Sequence, residues 1–124
     1  MSKDKAYIAD ILESARMLQQ HLFGMNREQF LADVRTQDAV VRRFEIIGEA
    51  ARHLSPATLN ALPDIPWKLI VGMRNLLIHD YDDVDPRRVW KDAQDDLPPL
   101  IARVEAYLAT QLKDSGEDEP SKPT

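Results

Sequence analysis

Apolar residues recur three and four positions apart along nearly the whole chain, and no stretch alternates apolar with polar. That pattern restricts the chain to helices. Between about residues 4 and 22, Tyr7, Ile8, Ile11, Leu12, Ala15, Leu18 and Leu22 share one face, opposite Lys5, Asp10, Glu13, Arg16 and Gln19. His21 near the end reads as a helix-terminus residue, and Gly24 offers a stop. Asn26 and Gln29 have the spacing of a capping box. They open a short helix through Phe30, Leu31 and Val34, with Asp33 and Arg35 as surface residues. A second long helix is expected from about 37 to 54, its core line being Val40, Phe44, Ile47, Ala51 and Leu54. Ser55-Pro56 caps a short turn or helix through Leu59 and Leu62, and residues 63–66 form a rigid connection. Asp85-Pro86 starts the last long helix, whose apolar line runs from Val89 to Leu108. Pro98-Pro99 falls inside that run, and because the phase resumes beyond it a kink is expected. Short loops make neighbours antiparallel. The predicted fold is therefore all-α, an up-and-down four-helix bundle with additional short helices.

One helix stands out. It begins near Pro66-Trp67 and ends in Arg74-Asn75-Leu76-Leu77-Ile78-His79-Asp80-Tyr81. On a helical wheel Leu69, Ile70, Met73, Leu76 and Leu77 form a broad core face. Trp67, Val71, Arg74 and Ile78 form a second stripe, which needs cover from another helix or a second copy. Lys68, Gly72, Asn75 and His79 form a third. Arg74 thus sits at the edge of a buried surface, where a guanidinium is suited to bind an anion. His79 is the side chain best able to move a proton near neutral pH. Spacing alone also describes an arginine paired with an acid and a histidine that caps a helix. Gly48 lies in mid-helix, at a cost of about 1 kcal/mol relative to alanine. Close approach of another helix would explain it, and the one carrying Gly72 is the candidate. Glu45, Glu49 and His53 do not make a di-metal bundle, which needs Glu-x-x-His pairs on two helices, so no metal site is expected.

Composition narrows the class. With 124 residues, 44% of them hydrophobic, the chain suits one globular domain with a real core. There is no cysteine, hence no disulfide, thiol nucleophile or thiolate metal site. The absence of a long apolar run or a leader pattern predicts a cytoplasmic protein with no membrane association. The formal charge is −5, and Asp114, Glu117, Asp118 and Glu119 against Lys122 place −3 of it in the last eleven residues. One helical domain is therefore expected over 1–113, and an acidic, disordered tail over 114–124. The near-neutral domain argues against a large basic surface. A local basic cleft remains open if Arg42, Arg43, Arg52, Lys68 and Arg74 converge.

Several motifs occur together in order: Phe44-Glu45-Ile46-Ile47-Gly48-Glu49-Ala50, Ile65-Pro66-Trp67, Gly72-Met73-Arg74-Asn75, Leu77-Ile78-His79-Asp80-Tyr81, Val89-Trp90 and Leu97-Pro98-Pro99-Leu100. With Thr36 to Val40 before them, they resemble the HepT-like proteins of the HEPN superfamily over about residues 4–112. The most specific element is Arg-x4-His-x-Tyr, here Arg74, His79 and Tyr81. The resemblance implies a HEPN-like helical homodimer whose motif helices meet near the interface. It also implies a metal-independent endoribonuclease that needs no cofactor and acts as the toxin of a toxin–antitoxin pair. Arg74 and His79 would then be catalytic, with Asn75 and Asp80 supporting them. The implied partner is a small nucleotidyltransferase antitoxin that silences the toxin by placing AMP on Tyr81. Two other readings fit the same residues. One is a non-catalytic helical dimer that binds such a partner and accepts AMP, and the other is a nucleotide-binding bundle.

Overall fold

The caps decide where the helices begin. The computed structural model describes residues 2–115. They form α1 (Ser2–Leu22), α2 (Arg27–Leu31), α3 (Val34–Ala51), α4 (Pro56–Ala61), α5 (Trp67–His79) and α6 (Pro86–Ser115), with a 3₁₀ turn at Tyr81–Asp83 before α6. At α2 the expected capping box forms. Asn26 Oδ1 accepts the Gln29 amide at 2.8 Å, and Gln29 Oε1 accepts the Asn26 amide at 2.8 Å.

Helix α3 begins three residues earlier than the periodicity suggested. Asp33 is the reason: its carboxylate accepts from the Thr36 amide at 3.0 Å and from Thr36 Oγ1 at 2.8 Å, which makes it an N-cap. Val34 therefore opens α3 and stays 66% exposed, with no part in the α2 core. Ser55 caps α4 as expected. Its hydroxyl also donates to Asp4 of α1, as does Thr58 Oγ1 at 2.6 Å, and the pair fastens α4 to the start of the chain. These hydroxyls hold the Asp4 carboxyl below its ordinary range.

The bundle follows from the apolar stripes. Helix α3 packs on α1 and α5, α1 also packs on α6, and α2 wedges between α3 and α6. Ile8, Ile11 and Leu18 of α1 meet Val40 and Ile47 of α3, Leu77 of α5, and Leu97 and Val104 of α6 in the core. Phe30 seals one end against Trp90, with ring centres 5.5 Å apart. The result is an all-α, antiparallel four-helix bundle with two short helices. Helix α6 runs unbroken through Pro98 and Pro99. Both prolines lie on its exposed side while Leu97 and Leu100 are buried, so the bonds lost to proline fall away from the core. The helix reaches Ser115, and the rest of the expected tail lies outside the described residues.

Helix α5 departs from the wheel in one respect. Met73 and Leu77 are buried, but Leu69 is 71% exposed. The helix rests on α3 and stands off from α6, leaving a largely apolar groove of about 370 Å³ lined by Phe44, Leu69, Ile70, Met73, Leu97 and Leu100. Its indole anchor is sound, since Trp67 Nε1 donates to the Leu62 carbonyl at 3.1 Å.

Candidate functional site

The docking of α5 on α3 determines what Arg74 can reach. An added Cβ at Gly48 would lie 2.2 Å from Arg74 Cβ, 2.9 Å from its Cγ and 3.1 Å from the Ile70 carbonyl. Only glycine lets the arginine stem cross α3 there. The close approach expected at Gly48 is thus present and comes from the expected helix. Its neighbour is Arg74 and not Gly72, around which an added Cβ would meet nothing within 4 Å.

The next residue of α3 is Glu49, and it gathers three basic groups. Arg74 Nη2 lies 2.8 Å from Glu49 Oε1, forming an ion pair between the helices. Arg52 Nε donates to the same oxygen at 2.9 Å. His53 Nε2 lies 2.9 Å from Glu49 Oε2. Hydrogen bonds from Arg52 and His53, with the charges of Arg52 and Arg74, push the Glu49 carboxyl down to about 2. The ring of Tyr7 on α1 stacks on His53 at 5.2 Å and 16°. Arg74 also donates from Nη1 to Asn75 Oδ1 at 2.7 Å. Its Nε is buried without a partner, and its side chain is only 20% exposed.

This cleft is of mixed charge. Arg42 lines it with Arg74, but so do Asp10, Glu45 and Glu49. Arg42 pairs with Glu45 at 3.4 Å. Arg43 turns to α1, where it meets Ser14 Oγ at 3.4 Å. The basic residues considered as a converging group therefore do so only in part. Among the described residues no three His, Asp or Glu side chains are placed to hold a metal ion.

His79 is the last residue of α5 and is exposed. Five residues beyond Arg74, it lies about 140° around the helix and about 7.5 Å along it. It does not line the cleft that holds Arg74. Asp80 ends the helix, its amide donating to the Leu76 carbonyl at 2.8 Å and its carbonyl accepting the Asp83 amide at 2.9 Å. Tyr81 opens the 3₁₀ turn that follows. A single chain thus joins Arg74 to Asn75 and presents His79 and Asp80 on the adjoining end, apart from them.

Sequence reasoning missed two features here. Glu49 stands three residues before Arg52, a spacing that suits the ion pair they form. Its bond to Arg74 depends on how α5 docks, and the one hint in the sequence was the glycine beside it. The Tyr7–His53 stack joins residues far apart in the chain and had no local signal.

Residues 11–107 match the family model described as Ribonuclease HepT-like. The chain is 39% identical over 101 residues to a protein of Thermococcus cleftensis named "Probable ribonuclease HepT", covering 82% of this chain and 92% of that one. It is 38% identical over 101 residues to a protein of Methanocaldococcus jannaschii whose name marks it a candidate RNase, covering 82% and 93%. A third relative, from Caldanaerobacter subterraneus and named in the same way, is 34% identical over 108 residues, covering 87% and 96%. No solved structure gives a significant match. No helix among the described residues is long and apolar enough to cross a membrane.

Proposed function

Because the chain belongs to the HepT-like ribonuclease family, we propose that it is an endoribonuclease, the toxin of a toxin–antitoxin pair, working without a metal. The observation that carries this reading is one helix presenting two unlike groups. Arg74 is held at the α3–α5 seam, and His79 stands exposed at the end of the same helix.

The chemistry needs little else. His79 removes the proton of a ribose 2′-hydroxyl, and the alkoxide attacks the adjacent phosphorus. The bond from phosphorus to the 5′-oxygen breaks, and that oxygen takes a proton from an acid. The products are a 2′,3′-cyclic phosphate and a 5′-hydroxyl. Arg74 neutralises charge that builds on the phosphoryl oxygens. Asn75 fixes the guanidinium, and Asp80 supports the end of the motif helix.

In this proposal two copies make the site. Arg74 and His79 diverge on one helix, and a second subunit would set its own His79 beside this chain's Arg74, with the reverse pair alongside. A nucleotidyltransferase partner would control the site by joining AMP to the Tyr81 hydroxyl, with pyrophosphate leaving ATP. Tyr81 lies two residues past His79, so a phosphate there would repel RNA at close range.

The test compares wild type with His79→Ala and Arg74→Ala on RNA in excess EDTA. Cleavage by wild type, ending in cyclic phosphate and reduced in both variants to a small residual rate, is the expected result. Equal cleavage by all three would place the activity elsewhere. No cleavage by folded, unmodified wild type would favour a non-catalytic partner-binding dimer.

A further inference from the structure

An arginine that stabilises a phosphoryl transition state must be aimed. Its long side chain holds one direction only if something fixes it, at a cost in rotamer freedom. Of the four N–H groups on the terminal nitrogens of Arg74, one goes to Asn75 Oδ1. The Nη2 nitrogen is held by the charge of Glu49 at 2.8 Å. At least one N–H on each terminal nitrogen is left, enough for a forked contact with two phosphate oxygens.

We propose that Glu49 of α3 is the positioning residue that aims Arg74 of α5 at the scissile phosphate. The inference rests on the ribonuclease reading above. Three observations carry it. First, both carboxylate oxygens of Glu49 are engaged, Oε1 by Arg52 and Arg74 and Oε2 by His53. The carboxylate is therefore fixed before RNA arrives. Second, its charge is already offset. Arg52 and Arg74 outweigh this one carboxylate even with His53 neutral, so Glu49 holds the guanidinium without itself neutralising it. Third, the hold comes from a long helix and not from a loop, and Gly48 beside it allows the two helices to approach that closely. Tyr7 stacked on His53 extends the support to α1. Tyr7 of α1, His53 just past the end of α3, Glu49 of α3 and Arg74 of α5 thus form one chain of contacts that ends at Arg74.

The experiment measures steady-state cleavage of one defined RNA in EDTA by wild type, Arg74→Ala, Glu49→Gln and the double variant, with thermal melting of each. Glu49→Gln is expected to lower kcat roughly tenfold to a hundredfold, with KM within about twofold of wild type. In the Arg74→Ala background, where single-turnover reactions at high enzyme read the small residual rate, the same change is expected to add nothing, since Glu49 acts through the arginine. Glu49→Asp keeps the charge on a shorter stem and is expected to fall between the two. It also serves if the glutamine variant does not fold. A lowered Tm with kcat unchanged is the mark of a purely structural ion pair and overturns the proposal. A further loss in the double variant overturns it too. If wild type cuts RNA far faster than Arg74→Ala, either of those results leaves the ribonuclease reading standing. If wild type does not cut RNA at all, that reading fails and Glu49 loses this role with it.

Discussion

At the scale of single residues, two glycines in helices have opposite meanings. Gly48 faces the stem of Arg74, and Gly72 faces open space. Gly48→Ala should therefore destabilise the fold by about 1–2 kcal/mol, since overpacking outweighs the gain in helix propensity. Gly72→Ala should stabilise it by up to about 1 kcal/mol. Urea unfolding of both variants checks the opposite signs, and a stabilised Gly48→Ala would contradict the contact between Gly48 and Arg74. The sequence showed that residue 48 needed a reason, because a mid-helix glycine is costly. It did not show that the reason was Arg74, since the register between two helices is set by all their contacts together. The motif residues Arg74, Asn75 and His79 were legible from their order along the chain. Their separation into a clamped arginine and an exposed histidine was not, because that depends on which face of α5 meets α3.

At the scale of elements, boundaries were read best where a side chain caps an end. Asn26 and Ser55 announced α2 and α4. Asp33 reads as a surface acid by its charge alone, so periodicity places the start of α3 too late. The α5 wheel gave a core face that was too wide. Leu69 lies on it by angle but over the groove beside α6 in space. The α3–α5 seam also carries a pH signature. Glu49 binds its proton more weakly when folded, at about 2, than at its ordinary value of 4.5. Unfolding thus takes up protons in acid. The contribution of Glu49 to stability is complete above about pH 4.5, declines as the pH falls, and is gone below about 2. Melting curves across that range should show a shallower acid decline in Glu49→Gln than in wild type. Parallel curves would mean that the seam does not depend on this carboxylate.

At the scale of the whole molecule, one chain does not bring Arg74 and His79 together. If two copies share each site, mixing inactive Arg74→Ala with inactive His79→Ala should restore cleavage. Random exchange would leave one intact site in half the dimers, or about a quarter of wild-type activity. No recovery after exchange, with dimers confirmed by mass, would mean that both residues serve from the same subunit. The all-α bundle was legible because every long segment repeats at helical spacing. The groove between α5 and α6 was not, since a gap belongs to no single helix. The contact between Gly48 and Arg74 has a further consequence for how such a chain can change over generations. A Cβ at residue 48 collides with the Cβ of residue 74, which even alanine there retains, so glycine at 74 would remove the main clash and leave the Ile70 carbonyl at 3.1 Å. Relief would come at the loss of the arginine. The two positions are thus sterically coupled. In a library varied at both, residues larger than alanine at 48 should be enriched beside glycine at 74 under selection for folding, and those pairs should be lost under selection for cleavage.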